Sequence, residues 1–314
     1  LNHLSAADVD TEVGKVVYTP WCNAGGGMEA DLTVTRLGED EYNVITSDVI
    51  QTRILWMIRH AIRALDADAT VFEHTSGTSL FTIQGPNSRE LLQRVSPDDF
   101  GNEAFPYLSA RPVEVAYAPA LALRVTYLGE LGWELHVPAD FAGGVYEALF
   151  AAGDDLGLRP AGLSALSTLR LEKGYRDYGH DIDNLDTPLE AGLGFTVGWD
   201  KAGFVGQEAL LAQKAEGPLR KRHLSYLLED PGPLLMGNEG VYRDDAWVGY
   251  LRAGAYGHTL GASVGLGSVT CDDGVTKDWI ESGHWEIDVA GERFSARPSL
   301  APLYDPKRER ILAE

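Results

Sequence analysis

Apolar and polar positions alternate along this chain first at strand spacing and then at helix spacing. Val13–Tyr18 is β-prone, Asn23–Gly27 is a glycine-rich break, and Asp31–Leu37 alternates at period two. Glu39–Ile45 reads as another strand. Ile50, Ile54, Leu55, Met57, Ile58, Ile62 and Leu65 then recur at three and four, with Ser47 or Asp48 available as a cap, which predicts an amphipathic helix. Strands are expected from Phe72 and over Ser79–Gln84, followed by a turn at Gly85–Asn87 and a helix over Ser88–Val95. This order describes an α+β layer over residues 1–105.

From Arg111 the pattern restarts. Val113–Tyr117 and Leu123–Tyr127 read as paired strands, Leu131–Val137 as a third, Ala139–Ala152 as a helix, and Leu163–Gly174 as a helix stopped by its glycine. Gly192–Gly198 is rich in glycine but lacks the GxGxxG spacing and a βαβ setting, so close backbone packing explains it better than nucleotide binding. A helix over Gln207–Ala215 leads to Gly217. Beyond it, short strands alternate with Gly-Asn, Asp-Asp, Ala-Gly and Asp-Gly turns, the pattern of a small β-barrel or sandwich. The expected domains are residues 1–105, 106–216 and 217–314.

Composition narrows the classes. The 314 residues are 44% hydrophobic and 23% charged, within the globular range. Twenty-six basic against 47 acidic residues leave a formal charge of −21, which disfavours nucleic acid and anionic membrane as partners. Two distant cysteines, Cys22 and Cys271, make no metal or redox motif, and the eight histidines form neither HxH nor HExxH, so no metal is expected and a reducing, cytoplasmic setting is. No apolar run approaches a membrane span, and the opening Leu-Asn-His-Leu, without a basic stretch, is not expected to be a signal peptide. A serine-hydrolase elbow is also missing.

Three neighbourhoods carry candidate chemistry. The turn Asn23–Gly27 delivers Glu29 and Asp31 to one face of a strand, either as solvated acids beside a tight hairpin or as carboxylates where a ligand approaches the backbone. Tyr127–His136 sets Glu130, Trp133 and Glu134 in an aromatic strand, where a carboxylate can accept two hydrogen bonds from an amino-pyrimidinone edge or simply face solvent. Arg170–Asp181 alternates charge, as a surface ion-pair lattice or as the wall of an anion site.

These same stretches resemble the aminomethyltransferase family, the folate-binding T-protein of glycine cleavage. The likeness is strongest to the version that follows flavin domains in dimethylglycine and sarcosine dehydrogenases and oxidases. It rests on Val16–Arg36, Ile83–Pro86, Thr126–Leu135, Leu169–Ile182, Thr187–Phe195, Ala255–Gly261 and Leu303–Pro306 in that order. The resemblance implies an α+β, three-lobed clover-leaf with a C-terminal β-barrel and tetrahydrofolate at its centre. It implies Asp31 opposite the reactive folate nitrogens as the catalytic carboxylate, Tyr127 lining the pterin pocket, Glu134 on the pterin edge, and Arg170 and Tyr178 at further cofactor-binding positions. It also implies a small-molecule donor such as dimethylglycine or sarcosine, and FAD only from a separate domain or a flavin-containing oxidoreductase partner. Relatives carry a strand and helix before the point where this chain starts, so Leu1–Leu4 reads as the end of a helix. Arg170, Lys173 and Arg176 are the expected positive wall for an anionic folate tail.

Overall fold

The computed structural model describes residues 1–314. Three sheets organise them. β1 (Val16–Cys22), β2 (Met28–Arg36) and β3 (Tyr42–Ile45) form an antiparallel sheet in the order β1-β2-β3. Alternation along β2 puts Ala30, Leu32 and Val34 into a core with Trp21, where α1 (Gln51–Ala64) adds Ile54, and leaves Glu29, Asp31 and Thr33 on the other face. Leu1–Leu4 forms a hydrogen-bonded turn, Leu4 N to Leu1 O at 2.9 Å.

The second sheet crosses the boundary expected at residue 105. β4 (Thr78–Gln84) is an edge strand paired with β7 (Gly132–Pro138), which continues to β6 (Ala118–Leu123) and the opposite edge β5 (Ala110–Val115). α2 (Ser88–Val95) and α3 (Ala142–Gly153) cover it, burying Leu91, Leu92, Val145 and Leu149 against Trp133, Leu135 and Val137. Local patterning could not assign β4 to this sheet, because its partner lies about 50 residues downstream. Two other expectations change. No strand starts at Phe72, which is 80% exposed in irregular chain. The second strand of the β5–β6 hairpin is 118–123 rather than 123–127, because Ala116 and Tyr117 both adopt positive φ and make a two-residue turn.

α4 (Leu163–Glu172) ends as expected at Gly174, whose φ is +67°. The chain then runs back across the first sheet, where Val197, Phe204 and, from α5 (Gln207–Ala215), Leu210 pack on Ala6 and Cys22. The rest closes a six-stranded barrel from β8 (Lys221–Leu228), β9 (Gly240–Arg243), β10 (Ala246–Gly257), β11 (Ala262–Thr270), β12 (Trp285–Val289) and β13 (Glu292–Ser299), in the order β10-β11-β8-β13-β12-β9. The short helix α6 (Lys277–Ser282) adds Ile280 to its core. The Asp244-Asp245 and Ala290-Gly291 turns have positive φ at both residues, as type I′ hairpins require.

The helix end at 170–173 joins these parts. The buried Glu172 carboxylate accepts from Thr259 N (2.7 Å) and Leu260 N (3.0 Å) of the barrel, Lys173 Nζ reaches Asp305 Oδ2 (3.0 Å), and Arg170 holds Asp181. No helix is long and apolar enough to cross a membrane.

Candidate functional site

Asp31 opposes Pro20 in the β1–β2 register, and Tyr18 lies two residues away on the same face. The diagonal brings Tyr18 Oη to donate to Asp31 Oδ2 at 2.7 Å. Burial pushes the Asp31 carboxyl up to about 6, with Asp177 and Asp181 adding like charge against the opposing Tyr18 hydrogen bond. Burial, then Asp31, raises Tyr18 well above the usual tyrosine range, so the phenol remains a donor.

The turn before Asp31 is built by one side chain. Asn23 Oδ1 accepts from Gly25 N (2.9 Å) and Gly27 N (3.2 Å), while its Nδ2 donates to Glu29 Oε1 (3.0 Å). Glu29 also pairs with Arg53 of α1. A Cβ at Gly27 would overlap the carbonyl oxygen of Asn184, so this glycine lets the 183–186 loop close over the turn.

Tyr127 rides on a loop shaped by Thr126, whose Oγ1 accepts from Leu128 N, Gly129 N and Glu130 N at 3.1–3.3 Å. Its hydroxyl donates to Arg176 O at 2.7 Å and its ring stacks on Tyr175. Burial raises Tyr127, and the charges acting on it include Arg170, Asp177, Asp181 and Asp31. Arg170 and Tyr178 stand differently from ligand-facing groups. Arg170, 5% exposed, binds both oxygens of Asp181 and Tyr175 O (3.1 Å). Tyr178, 7% exposed, donates to Met28 O at 3.1 Å and lies in Asp31's field. Arg170 and Lys173 are thus neutralised by Asp181 and Asp305, so of the expected positive wall only Arg176 lacks an acidic partner.

Glu134 occupies the second sheet. Trp133 is fully buried among Phe100 and Phe105, which removes it as a stacking surface, and Glu130 is taken by Tyr304 Oη (2.6 Å). Glu134 points to the other face, directly opposite Thr82 and Leu123, and accepts no hydrogen bond from the protein. His136 Nε2 lies 3.7 Å from it. Leu123 packs on Val16, two residues before Tyr18, so the Glu134 face fronts the first sheet. On that face the Gln84 Oε1 and His136 Nε2 atoms are also buried without partners. A carboxylate and two acceptor-capable groups with nothing to bind suit the amino-pyrimidinone edge of a reduced pterin. The residues therefore fit tetrahydrofolate.

Sequence reasoning missed Tyr18. Its only local signal is that a tyrosine at 18 and an acid at 31 flank a hairpin turn at positions that pair diagonally.

Known proteins resemble this chain over nearly its whole length. Residues 1–201 match the GCVT N-terminal domain and residues 221–305 the glycine cleavage T-protein C-terminal barrel domain. The chain is 42% identical over 308 residues to 4-methylaminobutanoate oxidase (formaldehyde-forming) of Paenarthrobacter nicotinovorans, covering 98% of this chain and 36% of that protein. It is 33% identical to human mitochondrial sarcosine dehydrogenase over 98% of this chain and 35% of that protein. It thus spans about a third of the length of these relatives. The fold superposes on glycine cleavage system aminomethyltransferase T from Bartonella henselae with a TM-score of 0.81 at 21% identity, over 98% of this chain and 81% of that one. With both family domains matched in order over nearly the whole chain, this protein belongs to the glycine cleavage T-protein family, whose members are tetrahydrofolate-binding enzymes.

Proposed function

We propose that this chain is the folate-dependent carbon acceptor for an N-methylated amino acid such as dimethylglycine or sarcosine, working with a flavin-containing domain or subunit. The single observation that carries this reading is the Tyr18–Asp31 pair, a carboxyl raised to about 6 whose charge also acts on Tyr127. The names of the two relatives, both acting on N-methyl amines, support the choice of donor. Tetrahydrofolate would supply the nucleophilic amines and leave as 5,10-methylenetetrahydrofolate. Glu134 accepts the pterin edge and Tyr127 lines the ring.

Asp31 orients the attacking amine and stabilises the positive charge that develops on it. With its carboxyl at about 6, Asp31 also takes up that proton far more readily than an ordinary aspartate, and Tyr18 fixes the orientation of the oxygen that does so.

The test separates binding from chemistry. E134Q is expected to weaken tetrahydrofolate by about 1.5–3 kcal/mol, roughly tenfold to a hundredfold. D31N is expected to keep folate within about threefold, while capture of imine or formaldehyde in rapid mixing falls about a hundredfold, near 3 kcal/mol. Wild type giving no capture above the uncatalysed background, with the flavin partner supplied, would end the proposal.

A further inference from the structure

Arg176 differs from the charged residues around it. Arg170, Lys173, Arg252 and Lys221 pair with Asp181, Asp305, Asp183 and Asp186 respectively, whereas no carboxylate lies within 4 Å of Arg176. Its Nε donates to Ala191 O (3.0 Å) and its Nη1 to Gly174 O, but Nη2 donates to no protein atom. The guanidinium is held still between two glycine turns. Cβ atoms at Gly174 (φ +67°) and Gly192 (φ +74°) would come within 3.5 Å of Nη1 and 3.2 Å of Nη2. Burial lowers Arg176 to about 10, with Asp181 and Tyr18 the opposing influences.

On β8, within the field of Arg176, stands His223. This residue is 2% exposed; its Nδ1 pairs with Ser268 Oγ at 3.2 Å, and its Nε2 has no partner. Burial first, then the fields of Arg176, Arg252, Arg170 and Lys221, hold the ring neutral. A part-buried guanidinium without a counter-ion therefore acts through its charge on a buried imidazole whose Nε2 has no partner. Arg176 also lies within the field of Tyr18, the hydroxyl that binds Asp31. Asp181, the carboxylate whose charge acts on Arg176, is bound through both oxygens to Arg170.

We infer that Arg176, backed by His223, receives a carboxylate of the ligand bound at the Asp31 site. Nη2 offers two N–H donors at a fixed orientation, which a carboxylate accepts as charge-assisted bonds. Arg176 is the contact, and His223 is a positioning residue that adds no competing charge. The inference rests on the reading of the site as one for tetrahydrofolate and a donor amino acid. Either can bring the carboxylate, through the glutamate tail of the folate or through the acid group of the donor.

Titration calorimetry on the full chain distinguishes them with two matched pairs of probes. One pair is tetrahydrofolate and a tetrahydropterin lacking the glutamate; the other is dimethylglycine and dimethylglycinamide, titrated with and without folate present. Wild type is expected to prefer the carboxylate member of one pair by about tenfold or more. A preference in the first pair assigns Arg176 to the folate tail, and in the second to the donor. R176Q should erase that preference while leaving the affinity of the glutamate-free pterin within about threefold, and R176K should retain part of it. H223Q should reduce the preference without abolishing it. No preference in wild type for either pair, or a preference that survives in R176Q, overturns the inference. Failure of wild type to bind any pterin would instead overturn the folate reading, and the dimethylglycine pair would still decide Arg176.

Discussion

The Tyr18 hydroxyl is the hydrogen bond that keeps Asp31 from rising still further above the usual carboxylate range. Y18F should therefore move the acid limb of the capture-rate profile to higher pH, with wild type turning near pH 6; an unmoved limb would mean that Asp31 does not titrate there. Stability follows from the same shift, with a definite sign. A carboxyl whose folded pKa is raised favours the folded state while it is protonated, fully so below about 4, and that contribution is lost as pH rises through about 6. D31N removes the cost of the ionised form. It should be more stable than wild type by about 1–3 kcal/mol at pH 8, with the difference vanishing by about pH 4, as read from denaturant midpoints. The strand positions of Asp31 and Glu134 were legible from period-two alternation, whereas the roles proposed for them came from the family resemblance. Tyr18 was not legible, since its importance depends on pairing across a turn, and Arg176 differed from Arg170 only in which acids the fold brings to each.

At the scale of elements, the Asn23–Gly27 turn has a second task besides reversing the chain. It must lie flush beneath Asn184, because Met28 N donates to Asp186 O at 2.9 Å and ties the 183–186 loop to the start of β2. G27A keeps an allowed backbone conformation yet pushes the loop away, and should cost about 1–3 kcal/mol in thermal or denaturant unfolding. G25A is the control, since its Cβ would meet only the Asn23 side chain, at 3.3 Å, and should cost clearly less. Helices were read closely, with α2 and α5 matching their expected spans, because a 3.6-residue stripe and a cap are local signals. Sheet membership was less legible. The polar face of β7 was visible in its alternation, but that Trp133 fills a core between Phe100 and Phe105 depends on segments about 30 residues upstream.

Across the whole molecule, we propose that the chain divides in the exposed irregular stretch 66–74 and again near Gly217. Both stretches separate sheets and are accessible. A glutamyl endoprotease under limiting conditions should cut first after Glu73 and Glu216, giving pieces ending near 73 and beginning near 217; early cleavage within 160–200 would contradict this division. The barrel was legible from its turn-bounded strands. Its attachment through Glu172 was not, because a glutamate at a helix end carries no mark of the two barrel amides it accepts.

The three sheets also differ in how they finish. The barrel has no free strand, and β5 ends its sheet with Arg111, Pro112 and Glu114, residues that discourage addition of another strand. β4 ends the same sheet as Thr-Ser-Leu-Phe-Thr-Ile-Gln, seven residues with neither charge nor proline and with Leu80 half exposed. That composition favours cross-strand self-association. Concentrated stocks of this chain therefore have a route to β-rich aggregates that begins at the outer backbone of β4, the longer of its two uncharged, proline-free edge strands, the other being β3.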